Sequence, residues 1–216
     1  MTFDDARERM VAEQIEARGC TDPRVLAAMR CVPRHLFVPE DMQARAYEDT
    51  PLPIGQRQTI SQPYMVAVMT AALELPRRPV RVLEVGTGSG YQAAVLAAMG
   101  VRVVSLERLA GLASRARTAL AELGLEDRVT VVVADGGLGW PVAGPYDGAL
   151  VTAAAPGIPR PLLDQLAPGA PLVLPIGDED RQTLVRLRRG PGGWSEEYLG
   201  ECRFVKLRGS QGWDEA

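Results

Sequence analysis

The feature that most constrains the fold is a regular alternation of strand-like and helix-like segments between residues 80 and 176. Runs rich in valine and leucine alternate with longer stretches that have helical spacing of apolar residues. The strands are predicted at 80–85, 101–106, 129–133, 148–152 and 172–176, and the helices at 91–99, 110–123 and 159–166. Strands separated by helices at this spacing are typical of a parallel sheet covered on both faces. We therefore predict an α/β fold with a doubly wound, mostly parallel, Rossmann-like sheet.

Segments of a different kind flank this core. Met10, Val11, Gln14 and Ile15 lie on one face of a predicted first helix that ends at Gly19, and Asp22-Pro23 predicts the start of a second. Residues 32–64 are predicted to be irregular. Residues 182–187 and 198–207 resemble strands with no helix between them, which predicts an antiparallel hairpin at one sheet edge, joined through residues 189–193. We expect one domain, with N-terminal helices and an active-site segment (1–78), a cofactor-binding core (79–178) and a C-terminal hairpin and tail (179–216).

Composition excludes several classes of protein. A net charge of −3 gives no electrostatic reason to expect binding to nucleic acid or to an anionic membrane. Cys20, Cys31 and Cys202 are odd in number and scattered, which favours the cytoplasm and argues against a disulfide framework or a zinc site. The charged N-terminus is unlike a signal peptide, and no apolar run approaches the roughly 18 residues that a membrane span needs.

A glycine-rich turn after the first predicted strand is the candidate cofactor site. It runs Glu84-Val85-Gly86-Thr87-Gly88-Ser89-Gly90 and should lie at the carboxyl end of the strand, where ligands bind in such sheets. Glu107 ends the next strand, about 20 residues past the first glycine, as an acidic residue that binds a ribose does. NAD and S-adenosylmethionine both fit this much.

Three details favour S-adenosylmethionine. The glycines are spaced Gly-x-Gly-x-Gly and not Gly-x-Gly-x-x-Gly. Glu84 stands where its carboxylate could face an amino group, a cation that no dinucleotide carries. Asp135-Gly136 follows the third strand, where a carboxylate and a tight turn could flank adenine.

The segment Gln58-Thr59-Ile60-Ser61-Gln62-Pro63-Tyr64 is more diagnostic than the turn. Together with Leu83 to Gln92, Asp135-Gly136, Gly139-Trp140-Pro141 and Val151 to Ala154, it resembles the protein-L-isoaspartate O-methyltransferases from about Met10 to Leu207. The resemblance implies methyl transfer from S-adenosylmethionine to the free α-carboxylate of an isoaspartyl residue, leaving S-adenosyl-L-homocysteine. The ester then closes to a succinimide without the enzyme.

The resemblance also implies roles for individual residues. Ser61 is the expected catalytic residue. The expected cofactor-binding residues are Glu84, Gly86, Thr87, Gly88, Ser89, Gly90, Glu107, Arg108, Asp135 and Gly136, and the expected substrate-binding residues are Ile54, Gly55, Gln58, Thr59, Arg203, Phe204 and Val205. No metal is implied. The expected partners are isoaspartyl proteins and peptides, with no nucleic acid and no membrane, and the expected state is a cytoplasmic monomer.

The chemistry needs no general base, because a carboxylate with a pKa of about 4 is already ionised at neutral pH. His35, the sole histidine, is therefore expected to pack or to face solvent. Three positions depart from the family pattern: Arg57 replaces a small residue, Gly157 a common glutamate, and Lys206 a proline. They border the predicted peptide groove, and we hypothesise that Arg57 attracts acidic peptides.

Four rival functions remain open from the sequence. A peptide-tailoring enzyme would esterify one aspartate of a biosynthetic peptide. A dinucleotide-dependent oxidoreductase would need a catalytic acid, for which one histidine and no Tyr-x-x-x-Lys pair offer poor support. A non-catalytic module would bind only the cofactor or a partner. Methylation of a nucleobase or amine is disfavoured, because the fourth strand runs into Thr152-Ala153-Ala154 and not into Asn/Asp-Pro-Pro-Tyr.

Overall fold

The N-terminal segment packs as two helices, as predicted. The computed structural model describes residues 2–190 and 192–214. Helix α1 (Phe3–Arg9), capped by Thr2, continues as a π-helical turn (Met10–Ile15) and a 3₁₀ turn (Glu16–Arg18), and ends at Gly19 with φ +93°. Helix α2 (Pro23–Cys31) begins at Asp22, whose side chain accepts from the Arg24 backbone.

The segment predicted to be irregular contains a small hairpin, so that prediction was wrong for residues 52–60. After 3₁₀ turns at Arg34–Phe37 and Glu40–Arg45, strands β1 (Leu52–Gly55) and β2 (Gln58–Ile60) pair antiparallel, and helix α3 (Pro63–Ala72) follows. Gln56 and Arg57 form the turn with φ +50° and +58°. Asn-Gly is the usual signal for two such residues. Gln-Arg carries no such signal, so local sequence does not reveal the hairpin.

The main sheet has the predicted parallel core. Five parallel strands, β3 (Arg81–Val85), β4 (Arg102–Glu107), β5 (Val129–Val133), β6 (Gly148–Val151) and β7 (Pro171–Gly177), alternate with helices α4 (Tyr91–Ala98), α5 (Ala110–Glu122) and α6 (Arg160–Asp164). With β8 (Gln182–Gly190) and β9 (Gly193–Cys202), the strand order of the sheet is β5-β4-β3-β6-β7-β8-β9. Because the order reverses between β3 and β6, the crevice at their carboxyl ends is the expected ligand site.

The predicted edge hairpin is present, but its second strand was misplaced. Strands β8 (Gln182–Gly190) and β9 (Gly193–Cys202) pair antiparallel, whereas the second strand was predicted at 198–207. The pairing starts at Gly190 and Gly193, so β9 begins five residues before the predicted start at residue 198. Pro191, within the predicted connection, lies outside the described residues. Residues 203–207 leave the hairpin and run beside Ala154, whose N–H donates to the Val205 carbonyl at 2.8 Å.

Among the parallel strands, β3, β4, β6 and β7 are buried on both faces over most of their length, which explains their nearly continuous apolar sequence. Leu83, Leu106, Leu150 and Val173 are each at most 1% exposed. Within the described ranges, no helix combines the length and apolar character needed to cross a membrane.

Candidate active site

The glycine turn between β3 and α4 has positive φ angles, which residues with a Cβ atom rarely adopt. Gly86, Gly88 and Gly90 have φ of +99°, +53° and +93°. A Cβ atom on Gly86 would lie 2.4 Å from Oγ1 of Thr152. That hydroxyl donates to the Gly86 carbonyl at 2.6 Å, so the residue that follows β6 supports the turn directly. The glycines thus permit both the conformation and the close approach of β6.

Glu107, at the end of β4, links this turn to the start of α5, because each of its carboxylate oxygens accepts one backbone hydrogen bond. Oε2 accepts from the Gly88 N–H and Oε1 from the Leu109 N–H, each at 2.9 Å. The side chain is 6% exposed and lines the cavity beside the turn. A second acceptor site on each oxygen can still receive a ligand hydroxyl.

Glu84 lies beneath the turn and does not belong to the cavity wall. It is fully buried, and its Oε2 accepts from the Ser105 hydroxyl at 2.5 Å, which lies 2.5 Å from the Thr87 hydroxyl. Its Oε1 has no hydrogen-bond partner among the described residues. Burial raises the pKa of Glu84 to about 8, although the hydrogen bond from Ser105 acts in the opposite direction and lowers it. Its predicted contact with the cofactor's amino group stays a prediction.

The ligand-free protein is expected to lose stability relative to a Glu84→Gln variant as the pH rises from about 5 to about 8. In that window the folded state keeps a proton on Glu84 that the unfolded chain has released, so the free energy of unfolding falls with pH. The slope difference should reach up to about 1.4 kcal/mol per pH unit. Urea unfolding of both proteins across this range measures it; parallel curves would contradict the assignment.

The β1–β2 hairpin closes over the turn. Ile54 is buried, and its Cδ1 lies 3.4 Å from where a Gly88 Cβ would stand. Arg115 of α5 donates to the Ile54 carbonyl at 2.7 Å and lies under Gly55. The hairpin is therefore anchored to the helix after β4, and Ile54 packs against the glycine turn.

Ser61 lies where two cavities meet. One, about 60 Å³, lies against the glycine turn; its wall includes Gln58, Thr59, Ile60, Ser61, Val66, Gly86, Thr87, Gly88, Ser89, Tyr91, Gln92, Glu107, Thr152 and Val205. The other, about 30 Å³, is lined by Pro51, Thr59, Ser61, Gln62, Met65, Thr152, Arg203, Phe204 and Val205. We call the first the turn cavity and the second the Arg203 cavity. The helix cap after Ser61 is Gln62, so Ser61 itself is not the capping residue.

An open basic groove of about 530 Å³ adjoins the turn cavity at Gln58 and Val205. Its remaining wall residues are Gln56, Arg57, Arg108, Lys206 and Arg208. Two of the positions that depart from the family pattern, Arg57 and Lys206, thus lie here and not in the Arg203 cavity. Lys206 pairs with Glu179 at 2.5 Å. Gly157 is exposed, and a Cβ there would meet no atom within 4 Å.

Asp135 and Gly136 are outside the walls of these three spaces. Asp135 Oδ2 accepts from both the N–H and the hydroxyl of Ser210 at 2.8 Å, and Oδ1 accepts from the Gly137 N–H at 2.9 Å. These hydrogen bonds lower the pKa of Asp135, against the effect of burial. Asp135 thus holds the chain after β9 in place, and its predicted contact with adenine stays a prediction.

Sequence reasoning missed three polar residues of the site. Thr152 supports Gly86 and lines both cavities, Ser105 holds Glu84, and Arg115 anchors the hairpin. Thr152 ends the fourth predicted strand, so the rule that ligands bind at carboxyl ends could have found it. His35, as expected, packs elsewhere: its ring stacks on Phe3 at 4.0 Å, and Nδ1 lies 2.8 Å from the Tyr47 hydroxyl.

The site fits S-adenosylmethionine by its donors, acceptors and space. The glycine turn leaves room that a Cβ atom would fill. Glu107 offers acceptor oxygens to ribose hydroxyls. The buried Oε1 atoms of Glu84 and Gln92 have no donor among the described residues. A glycine turn at the switch point of a parallel sheet, with acidic residues near the ends of β3 and β4, is typical of the S-adenosylmethionine-dependent methyltransferases. The fold and the site assign this protein to that class.

Comparison with known proteins gives the family. The sequence model of the protein-L-isoaspartate(D-aspartate) O-methyltransferase family matches residues 5–212. A protein-L-isoaspartate O-methyltransferase of Trichlorobacter lovleyi is 55% identical, with 99% of this chain and 98% of that protein covered. One from Methanoculleus marisnigri is 56% identical, covering 96% of this chain and 93% of that protein. The chain belongs to the protein-L-isoaspartate(D-aspartate) O-methyltransferase family.

Solved structures agree with this assignment. A Plasmodium falciparum protein of the same family, in complex with S-adenosyl-L-homocysteine, has a TM-score of 0.81 at 26% identity, with 94% of this chain and 98% of that chain covered. A second protein-L-isoaspartate O-methyltransferase structure has a TM-score of 0.86 at 28% identity, with 95% of this chain and 67% of that chain covered. The predicted fold class, enzyme class and cofactor are thereby confirmed.

Proposed function

We propose that this enzyme methylates the free α-carboxylate of L-isoaspartyl residues in damaged proteins and peptides. The observation that carries the proposal is the position of Ser61, in the wall of both the turn cavity and the Arg203 cavity. A residue at that junction can contact the acceptor carboxylate while the cofactor lies against the glycine turn. The resulting ester closes to a succinimide on its own, and hydrolysis returns some normal aspartate.

Chain residues contribute position, charge and shielding from water. The cofactor supplies a methyl group on a positively charged sulfur. The Ser61 and Thr59 hydroxyls would hold the acceptor carboxylate by hydrogen bonds, and Arg203 would attract its charge. The β1–β2 hairpin covers the turn and excludes water. Because the carboxylate is already ionised, alignment of the reacting groups accounts for most of the expected rate enhancement.

Backbone contact with the peptide is proposed at residues 203–205. Val205 already accepts from the Ala154 N–H through its carbonyl, and both backbone groups of Phe204 are bonded to the Gln182 side chain, so a peptide that pairs with this segment by β-augmentation would displace one of these partners. Phe204 N–H donates to the Gln182 side chain at 2.7 Å, which fixes the segment against β8.

Methyl transfer to an isoaspartyl peptide, with its aspartyl isomer as control, tests the proposal. Turnover is expected on the isoaspartyl form alone, measured as labelled methyl ester. Transfer only to the aspartyl form would favour the peptide-tailoring rival instead, and the absence of transfer to either would favour a non-catalytic module.

Replacing Arg57 by glycine is expected to raise KM about threefold for isoaspartyl peptides rich in acidic residues, and to leave KM for neutral ones unchanged. The reason is the loss of one exposed cation beside the site, whose effect is modest in water. Stability should change by less than about 1 kcal/mol, since glycine tolerates φ +58° but costs more chain entropy. Equal changes in KM for the two peptide types would sink the hypothesis.

The remaining proposals concern organisation and setting. We infer one folding unit made of the three sequence parts, acting as a monomer in the cytoplasm without nucleic acid. The continuous seven-stranded sheet, the net charge of −3 and the free Cys20, Cys31 and Cys202 support this. A single cooperative unfolding transition would support the single folding unit, sedimentation equilibrium measures whether the protein is a monomer, and cell fractionation tests the cytoplasmic location.

A further inference from the structure

Gln92, the second residue of α4, is a polar side chain that the mechanism above does not use. It is 6% exposed and lines the turn cavity. Its carbonyl oxygen, Oε1, is buried and has no hydrogen-bond partner among the described residues. A buried amide oxygen without a donor is costly, and such groups in native proteins usually receive a ligand or water.

The neighbouring helix determines which way this amide points. Nε2 of Gln92 donates to Oγ1 of Thr70 at 2.8 Å, and that hydroxyl donates its single hydrogen to the Val66 carbonyl at 2.7 Å. If the amide were flipped, two oxygens without a shared hydrogen would face each other. Thr70 therefore keeps Nε2 toward α3 and leaves Oε1 for another donor.

Two such acceptors flank the glycine turn in sequence. Glu84 comes two residues before Gly86, and Gln92 comes two residues after Gly90; Oε1 of each is buried and receives no donor from residues 2–190 or 192–214. S-adenosylmethionine carries one positively charged donor group, the ammonium of its amino acid part, whereas its adenine amino group and ribose hydroxyls are neutral donors of the nucleoside part. Its carboxylate, by contrast, offers no hydrogen to an amide oxygen.

We propose that Gln92 is a cofactor-binding residue whose Oε1 accepts a hydrogen bond from the cofactor's ammonium group, with Thr70 as the residue that orients it. This inference deepens the proposed function because it rests on its cofactor, and it does not depend on the methyl acceptor. Hydrogen bonds to charged groups are among the stronger ones, so the loss of this one should be measurable in binding alone.

The test is calorimetric titration without peptide, using S-adenosyl-L-homocysteine, which has the ammonium, and 5′-methylthioadenosine, which lacks the whole amino acid part. Gln92→Met should raise Kd for the first ligand about tenfold and leave Kd for the second within about twofold. Equal weakening for both ligands, or for neither, would overturn the proposal.

One further variant separates recognition from packing. Thr70→Val removes the orienting hydroxyl but keeps Oε1, so Kd for S-adenosyl-L-homocysteine should rise about threefold, while Kd for 5′-methylthioadenosine and thermal unfolding of the ligand-free protein stay unchanged. Equal weakening for both ligands would show a packing role and overturn the proposal.

Discussion

Replacing Ser61 by alanine is expected to lower kcat for isoaspartyl peptides about a hundredfold while the Kd of S-adenosyl-L-homocysteine stays within about twofold. The hydroxyl lies in the wall shared by the turn cavity and the Arg203 cavity, so it can act on the acceptor where the methyl group is delivered. The turn cavity is formed mainly by other residues. Steady-state kinetics and calorimetric titration measure the two quantities separately.

Ser114→Ala is the matched control for this experiment. Ser114 is exposed on α5 and lines none of the three spaces, so the same atom is removed without an effect on kcat or Kd. If Ser61→Ala weakened cofactor binding as much as it lowered turnover, the division between cofactor and acceptor contacts would be wrong. An unchanged kcat would remove Ser61 from the catalytic residues.

Gly86→Ala is expected to weaken binding of S-adenosyl-L-homocysteine at least about a hundredfold. Two costs add: alanine at φ +99° is strained, and its Cβ would stand 2.4 Å from Oγ1 of Thr152, which itself holds the Gly86 carbonyl. Each cost is about 1–3 kcal/mol, and either the turn or β6 must shift to relieve them. Calorimetric titration measures the binding loss.

Gly100→Ala separates strain from contact. Gly100 has φ +84°, but a Cβ there would meet no atom within 4 Å. This variant should lose about 1 kcal/mol of stability from backbone strain and bind the cofactor product normally. Similar binding losses in the two variants would mean that the contact between the turn and β6 is not what shapes the site.

The parallel core was predictable because its signals are local. Each buried strand is a short apolar run, and each helix repeats apolar residues at its own period. The positions of β3 to β7 and of α4 and α5 accordingly differ from the predicted ones by only a residue or two. Hairpin β1–β2 and the start of β9 were missed because they depend on left-handed turn residues and on a neighbouring strand, which no local pattern reports.

The candidate site was predicted unevenly for a related reason. Glu107 and Ser61 lie in the cavity walls, as expected for residues identified through their motifs. Glu84 and Asp135 lie outside these walls and accept hydrogen bonds from Ser105 and Ser210, although Oε1 of Glu84 has no donor among the described residues. A motif indicates that a carboxylate is near a site, whereas its partners come from segments far away in the chain.

Local sequence was sufficient to identify the fold class, the cofactor turn and the family, because the glycine turn and the diagnostic segment of seven residues are continuous stretches of chain. Which polar atoms have a hydrogen-bond partner depends instead on the tertiary packing. Oε1 of Gln92 lacks a donor among the described residues because Thr70, on another helix, binds the amide nitrogen, and the turn at Gly86 is held by Thr152, which follows another strand. Hydrogen-bond satisfaction is a property of packed neighbours, and those neighbours are brought together only by folding.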